Sequence, residues 1–189
     1  MEYADLSFNQ KVILLTLEAL PSTSKADRLY FEKFLFVMTK RDPALFEDIN
    51  ETFEAHKAGP YNEYVDEVLQ GLGDHGLLKG QEPTLEGANL ARSLRGDREV
   101  APVVHRLAEM ADVLRGFSVD DLLYLTYRLY PEFAVASKIQ HRIRSETLES
   151  FSIHLAQIPD GGELVVGSDK GSRIRVARRG QAVTITPLP

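Results

Sequence analysis

The sequence contains no cysteine and no tryptophan. Without cysteine, the chain has no disulfide, no thiolate metal site and no cysteine nucleophile, and a cytoplasmic setting is the simplest expectation. No segment approaches the roughly 20 uninterrupted apolar residues of a membrane span, and the first residues lack the basic and apolar blocks of a signal peptide. We therefore expect no membrane span and no signal peptide.

The composition is typical of a folded domain, with 43% hydrophobic and 26% charged residues in a chain of 189. The formal net charge of −6 is unevenly distributed. Residues 1 to 100 carry 18 acidic and 11 basic side chains, whereas residues 151 to 189 carry 3 and 5. The sequence thus predicts an acidic body and a mildly basic C-terminal tail.

Helix start and stop signals recur in the first half of the chain. Ser7 and Gln10 have the spacing of a capping box, and the helix that they begin must stop at Pro21. Ser24 can cap a second helix. Its large apolar residues recur at spacings of three and four, which predicts a buried stripe on one face. These residues are Tyr30, Phe31, Phe34, Leu35 and Met38.

Two proline-containing pairs mark the next helices. Asp42 before Pro43 predicts the start of a third helix, because aspartate caps the free amides and proline gives up only an amide without a partner. Gly59 and Pro60 interrupt the pattern, and we expect Pro60 to start a fourth helix. Gly73 and Gly76 end this fourth helix.

The residues after the fourth helix predict a short strand, a turn and another helix. Leu77 and Leu78 predict a short strand before a turn at Gly80, and Thr84 predicts the cap of another helix. The order of helix, break, helix, short strand, turn and helix resembles a winged helix with a short wing.

Beyond residue 96 the periodicity predicts a helix over residues 98 to 115, one capped by Ser118 with Asp121, and one from Phe133 to Arg144. Residues 151 to 156 alternate as in a strand, with a helix as the alternative. Residues 163 to 166, 173 to 177 and 182 to 186 predict a small antiparallel meander. The predicted fold class is mainly α: a winged-helix-like body (1 to 96), a helical extension packing on it (97 to 146) and a β-rich tail (147 to 189).

The charges on the polar side of the fourth helix indicate which class of partner it can bind. Asn62, Glu63, Asp66, Glu67 and Gln70 include three carboxylates and no cation. In a winged-helix DNA reader this helix would face phosphates, which repel carboxylates, so DNA binding there is disfavoured. We expect a protein partner instead. The predicted contacts are Lys57, Tyr61, Glu63, Tyr64, Asp66 and Glu67, since tyrosines are frequent at binding hot spots.

The basic tail supports an alternative. A strand over residues 173 to 177 would place Arg173 and Arg175 on one face, with Ile174 and Val176 on the other. These arginines could cover the acidic body, or they could bind nucleic acid together with neighbouring cations. The nucleic-acid alternative therefore uses Lys170, Arg173, Arg175, Arg178 and Arg179.

A search for chemistry finds no pattern that a structural role does not explain. The five histidines lie on different predicted elements without zinc-motif spacing, and neither a phosphate loop nor a nucleophile elbow occurs. The paired carboxylates Glu47-Asp48 and Asp120-Asp121 lie in first helical turns, where they complement the helix dipole. We expect no catalytic residue, no metal and no cofactor.

The segment FEAHKAGPYNEYVDEVLQGLGDHGLL, from Phe53 to Leu78, resembles the Panacea-type domain of SocA-like antitoxins and related small helical proteins. Its matching positions are Phe53, Gly59, Pro60, Tyr61, Val65, Leu69, Gly76, Leu77 and Leu78. The resemblance covers roughly residues 7 to 140 and implies regulation through protein contacts, as in toxin neutralisation or delivery to a protease. His56-Lys57 and the β-rich tail depart from the family pattern.

These observations favour a non-catalytic adaptor or regulator that binds a protein partner, with a homodimer as one form. The alternatives are a DNA-binding regulator or other nucleic-acid binder that uses the basic strands, and an antitoxin-like component of a toxin-antitoxin or defence system.

Overall fold

A computed structural model describes residues 6–20, 27–114, 117–139, 159–167, 173–179 and 182–188. The chain is mainly helical with small antiparallel sheets, which confirms the predicted fold class. In chain order the elements are α1 (Phe8–Ala19), α2 (Arg28–Arg41), a 3-10 helix (Pro43–Leu45), α3 (Glu47–Asn50), β1 (Glu54–His56), β2 (Gly59–Tyr61), α4 (Glu63–Asp74), β3 (Leu78–Lys79), β4 (Glu82–Pro83), α5 (Leu85–Leu94), α6 (Ala101–Leu114), α7 (Val119–Leu129), a 3-10 helix (Pro131–Ala134), β5 (Glu163–Gly167), β6 (Arg173–Arg179) and β7 (Ala182–Leu188).

Helices α1 and α2 form the centre of the molecule. The capping box of Ser7 and Gln10 is present at the start of α1, as predicted. Helix α2 is capped instead by Asp27, whose carboxylate accepts from the first-turn amides, and the predicted cap Ser24 lies outside the described residues. All residues from Tyr30 to Lys40 are buried, so α2 is enclosed on every side and not only along the predicted apolar stripe.

The third and fourth helices start differently from the prediction. Asp42 makes no side-chain capping bond, and Pro43 opens a 3-10 turn followed by only one turn of α3. The Asp42 carboxylate lies instead 3.4 Å from Nε of Arg106 on α6. Pro60 starts no helix: it lies in β2, which pairs with β1 in an antiparallel hairpin. Asn62 caps α4.

The second hairpin follows the prediction closely. Strands β3 and β4 pair across a turn at Gly80, whose φ of +64° suits glycine. Thr84 then caps α5 by accepting from the amide of Gly87. The hairpin lies between α4 and α5, and the comparison of this order with a winged helix stays a prediction.

In the later helices one predicted cap is confirmed, and two of the predicted helices are shorter than expected. Ser118 and Asp121 form the expected capping box of α7. Helix α6 begins at Ala101 and not at residue 98. No helix runs on from Phe133, because a 3-10 turn ends at Ala134 and residues 135 to 139 are turns and bends; residues 140 to 144 lie outside the described residues.

The C-terminal meander is an antiparallel sheet of order β5-β6-β7. Val176 is buried and its neighbour Arg175 is exposed, as strand alternation requires. Val176 belongs to the common core, and β5 contacts α2. The predicted strand over residues 151 to 156 lies outside the described residues, and the predicted domain boundaries stay predictions.

An aromatic cluster joins α2 to the elements around the first hairpin. The ring of Phe36 packs edge-to-face on Phe53, Tyr130 and Phe133, with centroid distances of 5.0, 5.1 and 4.8 Å. Such contacts stabilise beyond simple burial. Within the described ranges, no helix has the length and apolar character needed to cross a bilayer.

Candidate functional site

A cleft of about 440 Å³ opens between the end of α3, strand β1 and the start of α4. We call it the acidic cleft, because four of its lining residues are glutamates and none is basic. Its residues are Glu51, Thr52, Glu54, Tyr61, Glu63, Tyr64 and Glu67. The structure therefore brings together four of the six predicted partner contacts, and it adds two glutamates that the sequence reasoning did not select.

Asn62 connects the two sides of the acidic cleft. Its side-chain oxygen caps α4 by accepting from the amide of Val65, while its amide nitrogen donates to the Ile49 carbonyl at 2.9 Å and to the Thr52 hydroxyl at 2.8 Å. Asn62 is buried, which corrects its predicted place on the polar face of the helix. This single side chain holds the end of α3 against the start of α4.

The first turns of α4 supply one wall of the cleft. Glu63 and Glu67 are four residues apart, and both are exposed on the same side of the helix. The Tyr64 hydroxyl accepts a hydrogen bond of 2.9 Å from Asn9 on α1, which also donates to Asp48. Tyr64 is thus held in place, and its half-buried ring offers a rigid apolar surface beside the carboxylates.

Tyr61 is the boundary between this cleft and a second depression. Its hydroxyl donates to Asp66, and Asp66 in turn accepts from Arg28, which also pairs with Glu32 at 2.7 Å. The hydrogen bond to Asp66 is the main reason that the pKa of Tyr61 rises to about 12. Asp66, a predicted contact, lies outside the acidic cleft, and its charge is compensated by Arg28.

The second depression, which we call the groove, lies between α4 and the β3–β4 hairpin and has a volume of about 900 Å³. Tyr61 lines it as well as the acidic cleft. Other residues along it are Arg28, Asp66, Leu69, Gly73 and Gln81. The two depressions therefore share one aromatic wall.

The first hairpin rests on a buried lysine. Nζ of Lys33 donates to the Pro60 carbonyl at 2.5 Å and lies 3.5 Å from Glu32, and the side chain is only 1% exposed. Burial lowers the pKa of Lys33 to about 8. Gly59 has a φ of +92°, and an added Cβ would lie 3.0 Å from the Tyr127 ring. The hairpin that carries Tyr61 is thus tightly seated.

The remaining predicted contacts lie elsewhere. Lys57 is exposed in the turn between β1 and β2, where its carbonyl accepts from the amide of Lys138, and it does not line the cleft. Of the alternative nucleic-acid residues, Arg175 is exposed on β6 and lies 3.5 Å from Glu163. Arg173, Arg178 and Arg179 lie on the same strand, and Lys170 lies outside the described residues.

Lys33 was not selected from the sequence because its neighbours suggested an ordinary amphipathic helix. The sequence contains one usable signal, the pair Glu32-Lys33 inside a run of large apolar residues. Whichever face of the helix points to the core, one of these two charged side chains is buried with it. Glu51 and Glu54 gave a weaker signal, because only the tertiary contact through Asn62 brings them to α4.

Within the described ranges, no group of three or more histidine, aspartate or glutamate side chains is placed to hold a metal ion. Comparison of the chain with family models, curated proteins and solved structures finds no match. The resemblance to the Panacea-type domain therefore stays a prediction.

Proposed function

We propose that the protein is a non-catalytic adaptor or regulator that binds a partner protein through the acidic cleft. The observation that carries this proposal is the cleft itself, in which four glutamates and two tyrosines converge without a cation. The partner segment would be rich in lysine or arginine. In the same proposal the protein acts in the cytoplasm, and the Panacea-like resemblance favours a regulatory role.

Both residue types in the cleft suit a basic segment. Arginine and lysine have long apolar stems that can pack on the rings of Tyr61 and Tyr64 while their charged ends reach the carboxylates. Each solvent-exposed ion pair contributes only about 0.2–1 kcal/mol. Four such pairs and two contacts between a cation and a tyrosine ring sum to about 4 kcal/mol, which corresponds to a dissociation constant of about 1 mM.

The test uses a fluorescein-labelled ten-residue peptide of alternating arginine and serine, with its binding measured by fluorescence anisotropy at physiological salt. The triple variant Glu54→Gln/Glu63→Gln/Glu67→Gln should bind about ten-fold more weakly, since three pairs of about 0.5 kcal/mol each are lost. A peptide of alternating glutamate and serine should not bind.

A matched control separates the cleft from general attraction to an acidic protein. The variant Glu47→Gln/Glu86→Gln/Asp120→Asn removes the same charge from exposed positions outside the cleft. It should change the affinity less than about three-fold, because exposed charges at a distance are screened. An equal loss of peptide affinity in both triple variants would contradict the proposal.

Duplex DNA in the same assay tests the nucleic-acid alternative. Binding that survives the cleft substitutions and is lost when Arg175 and its neighbours on β6 are replaced would favour that alternative. Such binding would also show a steep salt dependence, which the arginine substitutions flatten.

A further inference from the structure

Gly73 leaves one wall of the groove open. It lies inside α4 without a positive φ, and an added Cβ would meet nothing within 4 Å. Glycine inside a helix is destabilising relative to alanine. Neither the backbone nor the packing therefore requires glycine at this position, and its one structural effect is that no side chain projects into the groove from position 73.

Gln81, across the groove in the β3–β4 turn, has an unsatisfied carboxamide. Both its side-chain nitrogen and its oxygen are shielded from solvent and have no hydrogen-bond partner. Leaving such groups unpaired is costly. A carboxamide offers one acceptor and two donor hydrogens, so an extended main chain, with its amides and carbonyls, could satisfy both atoms.

The charges of the groove favour the same sign of ligand as the acidic cleft. Arg28 is compensated by Glu32 and Asp66. Lys79 is outnumbered by two further carboxylates, those of Asp74 and Glu82. A neutral or basic polypeptide fits such a surface, whereas phosphate groups would be repelled.

We propose that one extended segment of the partner protein occupies both depressions and crosses over Tyr61. Its basic side chains lie in the acidic cleft, and its continuation carries apolar side chains that pack on Leu69 in the groove, where the Gln81 carboxamide turns to bond its main chain. This inference rests on the proposed function, and it adds a second subsite together with the chemical pattern of the partner.

The experiment compares the ten-residue arginine-serine peptide with the same peptide extended by Leu-Ser-Leu-Ser at either end. One of the two extended probes should bind at least about five-fold more tightly to the wild-type protein. Gly73→Gln places a side chain in the groove at a position without steric conflict. It should abolish this gain while it changes the affinity for the ten-residue peptide less than about two-fold.

Two further variants complete the test. Gly73→Ala keeps the groove open and should retain the gain. Gln81→Leu should lower the affinity for the extended probe alone, and it should raise the unfolding temperature because two unpaired buried groups are removed.

The outcomes separate the two proposals. If the ten-residue peptide binds through the cleft glutamates but neither extension tightens binding, the groove proposal is overturned and the proposed function stands. A gain that persists in Gly73→Gln also overturns the groove proposal. Failure of the ten-residue peptide to bind at all contradicts both. Unchanged affinity of Gln81→Leu for the extended probe overturns the main-chain contact.

Discussion

Replacement of Lys33 by methionine should reveal how strongly the fold disfavours a charge at this position. Methionine has a similar length and no charge, so it can fill the same space between α2 and the β1–β2 hairpin. The lysine side chain is 1% exposed, and burial is the main cause of its lowered pKa. The variant isolates the cost of keeping that amine protonated.

The expected magnitude follows from the two pKa values of Lys33, about 8 in the folded protein against 10.5 as the reference. Between these values the unfolded chain binds more protons than the folded one, so the lysine's contribution to stability rises with pH. The penalty is fully present below pH 8 and disappears above pH 10.5. Since one pKa unit corresponds to about 1.4 kcal/mol, the whole effect is about 3 kcal/mol.

Urea denaturation of both proteins from about pH 7 to about pH 10 measures this difference. The free energy of unfolding of the wild type, relative to Lys33→Met, should increase by about 2–3 kcal/mol across that range. Groups present in both proteins cancel in the comparison. Lys79→Met removes an exposed amine and serves as the control. A wild-type-minus-variant difference that stays flat with pH would refute the reasoning.

Three other substitutions test two glycines that lie close to neighbouring atoms and the cap of α7. Gly59→Ala should destabilise the protein by about 2 kcal/mol, because φ is positive and the new Cβ would lie 3.0 Å from Tyr127. Gly87→Ala should cost about 3 kcal/mol, because its Cβ would clash with the carbonyl oxygen of Leu77. Ser118→Ala should cost about 1 kcal/mol through loss of the capping box of α7. All three are measured by urea denaturation.

Two glycines provide controls for these substitutions. Gly80→Ala shares the positive φ of Gly59 but meets nothing within 4 Å, so it should cost only about 1 kcal/mol. Gly73→Ala should stabilise α4 by about 0.5–1 kcal/mol. If Gly59→Ala and Gly80→Ala cost the same, the contact with Tyr127 contributes nothing. An unchanged stability of Gly87→Ala or of Ser118→Ala would contradict the contact or the cap that it tests.

The features that local chemistry determines could be predicted from the sequence. Ser7, Thr84 and Ser118 cap helices because a hydroxyl reaches an amide only three residues away. The turn at Gly80 and the C-terminal meander follow equally from short-range patterns. Glu63, Tyr64 and Glu67 of α4 share a surface for the same reason, since helical spacing places them together.

The features that could not be predicted from the sequence depend on tertiary contacts. The carboxylate of Asp42 lies near Arg106 on a distant helix, and the first turn after Pro43 goes without its predicted cap. Pro60 lies in a strand that is held by the buried Lys33 amine. Glu54 reaches the acidic cleft only because Asn62 holds the chain before β1 against the start of α4. None of these distances follows from spacing along the chain.

The most direct measurement is a ¹H–¹⁵N NMR titration of the protein with the ten-residue arginine-serine peptide. If the acidic cleft binds the partner, the largest shift changes will cluster at Thr52, Glu54, Tyr61, Glu63 and Glu67. Changes centred on β6, or spread evenly over the acidic surface, would contradict a binding site in this cleft.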